Sequence, residues 1–220
     1  NPGIILPHEH ILHQIGLSSG SMDNFCTDID TMVEELLRFK NAGGDVICDV
    51  TPAGLGRDTA GLRQVSLKSG VKIVSGFGLY LEKDFPPEAR NLSQKKLADY
   101  IVRQVEGGES GIRSGLIGEI ASHNEKHSNW REYRLTQRED EIFRAVADAQ
   151  KRTGLSIFTH ASMGRAGVAQ VQSLLNAGAN MQRVVVGHCD AQSHQDIEID
   201  LDYYHRLLAE GVMLSFDLFG

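Results

Sequence analysis

One unit recurs along the chain: an amphipathic segment that ends in glycine, then a short apolar run within a few residues. The clearest helical pattern runs from about Thr27 to Ala42. There Ile29, Met32, Val33, Leu36 and Leu37 recur at helical spacing, and Gly43 and Gly44 stop the helix. Strand-like "DVICDV" (45–50) follows. "RQVSLKSG" leads into "VKIVSGFG" (71–78), and "SQKKLADYIVRQVEGG" (93–108) leads into "GLIGEI" (115–120). Thr136 with Glu139 forms a capping-box pattern for a helix through Arg152, closed by Gly154 and followed by "LSIFTH" (155–160). "AGVAQVQSLLNAG" precedes "RVVVGH" (183–188), and a last helix reaching Glu210 precedes "VMLSFDLFG" (212–220).

Near-continuous apolar strands alternating with helices predict a parallel sheet covered by helices, an α/β fold. Seven strands are expected, at 4–8, 45–50, 71–75, 115–119, 155–160, 183–188 and 212–217. A doubly wound sheet could hold seven. The chemistry favours a (β/α)8 TIM barrel instead, because no Gly-rich dinucleotide fingerprint follows strand 1 and polar residues sit repeatedly at strand C-terminal ends, which a barrel gathers at one mouth. Seven strands leave such a barrel open. The expectation is therefore one barrel domain over 1–220, with the eighth strand and final helix missing beyond Gly220.

Charge narrows the partners. Lys+Arg number 22 against 29 Asp+Glu, a formal net charge of -7 without any basic block, which argues against a nucleic-acid or anionic-membrane surface. A small-molecule partner is expected. Cys26, Cys48 and Cys189 are odd in number and lack C-x-x-C spacing, so neither a disulfide framework nor a zinc ribbon is indicated. No apolar run approaches a membrane span and no signal peptide is visible, so a cytoplasmic location is expected.

Candidate chemistry lies where the strands end. "GIILPHEHIL" (3–12) closes an apolar run with two histidines one residue apart; in an extended strand His8 and His10 project from one side and can share a metal ion, whereas a polar strand end meeting solvent is the plainer reading. Glu119 ends strand 4, His160 strand 5 and His188 strand 6. Any one of these could simply be emerging into solvent. Five at four strand ends, brought together by a barrel, make a set of imidazole and carboxylate ligands suited to zinc, manganese, cobalt, nickel or iron.

The segments "PHEH", "FKNAGGDVICDVTPAGLGRD", "KIVSGFGLYL", "GLIGEI", "AQKRTGLSIFTHAS" and "RVVVGHCD" occur in the order found in the phosphotriesterase family of the amidohydrolase superfamily, which the chain resembles over almost its whole length. That resemblance implies two divalent metals, zinc first, at the barrel mouth. His8 and His10 would hold the more buried ion, His160 and His188 the more exposed one, and Glu119 would bridge them in place of the carboxylated lysine of many members. It also implies a shared hydroxide as nucleophile, since a metal lowers the pKa of bound water toward about 7. Tyr80 falls where lactonase-like members carry a tyrosine that contacts substrate or hydroxide; its alternative is a packed aromatic with a solvated hydroxyl.

Three features depart from the family pattern. The strand 8 aspartate ligand has no candidate before Gly220. Asp217 is followed by Leu218, where efficient phosphotriesterases tend to carry histidine. Pro7 replaces the usual threonine before the first histidine. Leu218 and the breadth of the family point to a hydrolase of a lactone or other carboxylic ester, with a phosphotriester or phosphodiester as the enzymatic alternative; the absent strand 8 aspartate makes a non-catalytic metal-binding or ligand-binding barrel the competing class. A homodimer is compatible with the family.

Secondary candidates follow. Arg165, after His160, could orient a substrate carbonyl or carboxylate, or be an exposed helix-start arginine. Asp190 could orient His188 or a neighbouring loop. Cys189 is expected to point away from the metals. Arg57 and Asp58 are expected to form an ion pair or a cap. His13, His123, His127, His194 and His205 are expected at the surface or in loops, and the polar stretch 122–134, with the only tryptophan, as a lid or a mobile insertion.

Overall fold

The computed structural model describes residues 2–21, 23–108, 110–123, 129–161, 165–191 and 199–218. Seven strands form one sheet: β1 (Ile4–Glu9), β2 (Gly44–Asp49), β3 (Lys72–Leu79), β4 (Leu116–Ala121), β5 (Ser156–His160), β6 (Val184–Gly187) and β7 (Met213–Leu214). Their order in the sheet is their order in the chain, and every neighbouring pair is parallel. A doubly wound sheet reverses its order at a switch point. No reversal occurs here, so the arrangement is the seven-stranded arc of an α/β barrel.

The helices are α1 (Gly16–Ser19), α2 (Ile29–Asn41), α3 (Thr59–Ser69), α4 (Gln94–Val105), α5 (Gln137–Thr153), α6 (Gly167–Asn176) and α7 (Leu201–Leu208). Local chemistry sets their ends. Asp28 and Asp58 accept from the backbone N–H of Thr31 and Gly61, and the Thr136–Glu139 capping box forms as expected. Gly154 closes α5 in the left-handed region at φ 71°, which glycine adopts without a Cβ penalty.

Alternation along the strands builds two layers. Ile117, Ile157, Val184 and Val186 pack outward with Leu97, Ile101, Phe143, Val146 and Leu174 of the helices. Their neighbours Leu116, Phe158 and Val185 gather with Val50, Cys48 and Val74 on the other face, inside the arc. Each large side chain removed from water this way stabilises the fold by about 1.5–3 kcal/mol.

Most strand bounds shift by one or two residues from the sequence reading, and two strands differ by more. β3 continues to Leu79, because Gly76, Phe77 and Leu79 pair with Leu116, Ile117 and Ile120 of β4. β7 is only two residues long, although Cys189 N still donates to Ser215 O and Ser215 N to Val186 O. Beyond Ser215 the chain serves the site instead. Among the described residues no helix is long and apolar enough to cross a membrane.

Candidate metal centre

Glu119, 1% exposed near the end of β4, stands at the middle of four imidazoles. Its Oε1 lies 2.5 Å from His160 Nδ1, 3.2 Å from His188 Nε2 and 3.7 Å from His8 Nε2, and its Oε2 lies 3.7 Å from His10 Nε2. Strand ends 1, 4, 5 and 6 therefore deliver all five residues to one place. Ligand atoms of His8, His10 and Glu119 lie within 4.8 Å of one another, as do those of Glu119, His160 and His188. These two triads share only Glu119, and a third such group joins His8 and His188 to Asp217. This donor set, imidazole nitrogen with carboxylate oxygen, fits a divalent metal ion.

Outer partners aim the rings. Asp217 accepts from Nδ1 of His8 through Oδ2 and from Nδ1 of His188 through Oδ1, each at 2.8 Å, and its Oδ1 also accepts from His188 N at 3.0 Å. A carboxylate only accepts, so both rings donate from Nδ1 and turn Nε2 toward Glu119. Thr51 Oγ1 lies 3.2 Å from His10 Nδ1 and donates to Asp49 Oδ2 at 3.3 Å, while Asp49 also accepts from Ile11 N at 2.7 Å. His10 is thus steered through a hydroxyl.

Electrostatics follow from this packing. Burial alone would raise the Glu119 carboxyl, but His160, His188 and His8 outweigh it and hold it well below the usual range. Burial depresses His10 to about 4, leaving the neutral ring that a ligand must present. It would depress His188 too, yet hydrogen bonds with Asp217 and Glu119 push that imidazole up to about 10. Burial raises Asp49 to about 6 against the pull of the Ile11 and Thr51 amides.

A cavity of about 290 Å³ opens over the cluster, walled by Ile15, Pro52, Leu55, Tyr80, Ala191 and Leu218 with His10, Glu119, His160 and His188 at its base. Tyr80 lines it, its hydroxyl 3.2 Å from His160 Nε2, and burial raises that phenol above its ordinary value. Arg165 is half-buried ahead of α6 and is not among the lining residues.

Sequence reasoning placed Asp217 only as a marker of the family pattern and left out Thr51 and Asp49. The one signal for Asp217 is a carboxylate following the last apolar run. His123 lies in the loop after β4 as expected, but it is half-buried there, stacking on Tyr133 at 5.0 Å and pairing with Glu139 at 2.7 Å. Trp130, in the stretch expected as a lid or insertion, donates its indole N–H to Asp200 and packs on Tyr203 of α7; it is not among the described residues that line the cavity. Asp190 orients a loop, accepting from Leu218 N at 2.8 Å. Cys189 is buried and turned to Val186 O. Asp58 is a cap, and Arg57 donates to Gly76 O and Ser114 Oγ. His127, His194 and residues 124–128 of the expected lid lie outside the described residues.

The sequence profile of the phosphotriesterase family matches residues 1–220. The chain belongs to the phosphotriesterase family. Among its relatives in that family, an N-acetyltaurine hydrolase of Dictyostelium discoideum is 35% identical over 196 residues, covering 88% of this chain and 49% of that protein. A phosphotriesterase homology protein from Escherichia coli, crystallised with phosphate in its active site, matches with a TM-score of 0.87 at 26% identity, covering 100% of this chain and 72% of that one. A mutant of a phosphotriesterase-like lactonase from Deinococcus radiodurans matches with a TM-score of 0.80 at 28% identity, covering 98% and 66%. The chain spans about half the length of the curated N-acetyltaurine hydrolases it matches.

Proposed function

We propose that this protein is a binuclear metal-dependent hydrolase of carboxylic acyl bonds, with a lactone or other carboxylic ester as its first substrate class and an N-acylated amine as its second. The observation that carries the reading is the convergence of His8, His10, Glu119, His160 and His188 beneath an open, largely apolar cavity. His8 and His10 would hold one divalent ion, His160 and His188 the other, with Glu119 available to both. Ions bound there supply Lewis acidity toward a carbonyl oxygen and a lowered pKa for water. The amide class is supported by the N-acetyltaurine hydrolases among the relatives, the lactone class by the Deinococcus protein.

The chain's own side chains do the rest. Ile15, Pro52, Leu55 and Leu218 exclude water and seat the apolar part of an acyl group. Tyr80 keeps its proton at neutral pH and offers it from Oη to a substrate oxygen above His160. Asp217 and Thr51 keep the imidazoles in the tautomers that face inward. A phosphoester substrate is the second reading, favoured by the phosphate in the Escherichia coli relative's active site.

The test is a panel of lactones, carboxylic esters, N-acetylated amines and phosphotriesters assayed on full-length protein before chelation, after it, and after return of Zn²⁺, Mn²⁺ or Co²⁺. Acyl-bond hydrolysis lost and restored in step with the metal is the expected result. Metal-loaded protein that turns over no member of the panel replaces this reading with a ligand-binding barrel.

A further inference from the structure

Three of the four imidazoles around Glu119 are aimed through their rings, His8 and His188 by Asp217 and His10 by Thr51. His160 differs. Its Nδ1 faces Glu119 and its Nε2 faces Tyr80, so neither ring nitrogen is left for an outer carboxylate. Its main chain is gripped instead. His160 O, at the last position of β5, accepts from Nε2 of Gln170 at 2.9 Å, and the same nitrogen donates to Ser122 Oγ, one residue past β4, at 2.9 Å.

We propose that Gln170, fully buried in α6, is a positioning residue for the metal centre: one planar amide that clamps the ends of β4 and β5 and so fixes Glu119 relative to His160. The inference rests on the metal-dependent reading above. The β4–β5 ladder runs out at the pairing of Ala121 with His160, and Gln170 supplies the next cross-link from outside the sheet. A neutral amide does this without burying a charge. The hydrogen bonds continue in one direction. Ser122, having accepted from Gln170, donates to Tyr133 Oη at 2.8 Å, and Tyr133 donates to His123 O at 2.8 Å, which ties down the chain leaving β4. Outer-shell groups of this kind change metal affinity by about 10- to 100-fold when removed.

Gln150 provides a matched control. It is also buried, on α5, and its amide joins Asn180 O, Arg183 O and Asn180 N, ahead of β6 at the strand ends opposite the ligands. Full-length wild type, Gln170→Met and Gln150→Met are compared by thermal melting and by competition for Co²⁺ against a chelator, with the d–d absorption of bound Co²⁺ recorded. Both variants are expected to melt lower. Only Gln170→Met is expected to weaken Co²⁺ binding, by about 10- to 100-fold, and to change the spectrum. Wild-type affinity and spectrum in Gln170→Met overturn the role of Gln170 and leave the metal-dependent reading standing; so does an equal loss in both variants. A wild type that takes up no Co²⁺ overturns that reading itself, and this inference with it. If Gln170→Met does not fold, Ser122→Ala opens the other side of the clamp, and an unchanged Co²⁺ spectrum there overturns the proposal.

Discussion

His8 and Asp217 stand 209 positions apart in sequence and 2.8 Å apart in the structure, ring Nδ1 donating to Oδ2. The other oxygen of the same carboxylate takes Nδ1 of His188. One residue therefore aims a ligand of each proposed ion, and the two proposed sites are joined behind the imidazoles as well as through Glu119. Burial alone would raise the Asp217 carboxyl, and the hydrogen bonds from His188 and His8 reverse that, holding it below the usual carboxylate range. Asp217→Asn keeps the size but places an N–H₂ against one of two donating nitrogens. The expected outcome is a loss of about 10- to 100-fold in metal affinity, checked by competition against a chelator, with both sites weakened together. Retention of one site at full affinity would refute the coupling.

Gly78 is where β3 lets Glu119 sit. A Cβ built on Gly78 would meet Glu119 O at 2.1 Å and Glu119 N at 2.3 Å, both backbone atoms that cannot swing aside. Gly78→Ala is therefore expected to destabilise the fold by about 1–3 kcal/mol and to displace the proposed bridging carboxylate. Gly20→Ala is the comparison: φ is 75° and nothing lies within 4 Å of its Cβ, so it strains a turn without touching the site. Melting curves with metal titrations separate the two. Gly78→Ala should lose stability and metal uptake, Gly20→Ala only stability.

Much of this was legible in the sequence for a definite reason. A strand that is apolar on both faces reads as a run, and where the run stops at His160 or His188 the stop is itself the signal that the chain has reached the barrel mouth. The ligands at strand ends were thus findable one by one. Asp217 also follows an apolar run, but its partners come from β1 and from the turn after β6, and that local mark does not tell which rings it serves. Thr51 and Gln170 were hidden in the same way: each acts on a residue from another strand, and only the fold brings them there. The cover that Tyr133 and Glu139 give His123 was hidden too, because nothing in a polar loop tells which side chains will close over it.

Among the described residues that line the cavity, Tyr80 is the one whose hydroxyl meets a proposed ligand, at His160 Nε2. Tyr80→Phe keeps the ring against His160, whose centroid is 4.9 Å away, and deletes the hydrogen bond. A net hydrogen bond is worth about 0.5–1.5 kcal/mol, so kcat/KM on the best acyl substrate is expected to fall by up to about tenfold while metal content and melting temperature hold. Because burial raises the Tyr80 phenol, no alkaline fall in rate near pH 10 should belong to it. A limb near pH 10 that disappears in Tyr80→Phe would count against this assignment.

The start of α5 gives the fold an acid-sensitive joint. Glu139 closes the capping box with Thr136 and also accepts from the backbone and ring of His123, so the helix and the chain leaving β4 depend on one carboxylate. Burial acts to raise that carboxyl, and the hydrogen bonds from Thr136 and His123 win, leaving it below its ordinary 4.5. A depressed folded value means that the charged form stabilises the native state. That contribution is complete above about pH 4.5, where the unfolded chain is also ionised, and is lost as pH falls through the lower folded value. Glu139→Gln copies the protonated side chain and is expected to cost about 1 kcal/mol at pH 7, a drop of roughly 2–4 °C for a chain of this size. Below pH 4.5 the wild type loses its charge as well, so the gap between the two melting temperatures should close from the wild-type side. A gap that stays constant from pH 7 to pH 3 would show that the joint is held by shape and not by charge.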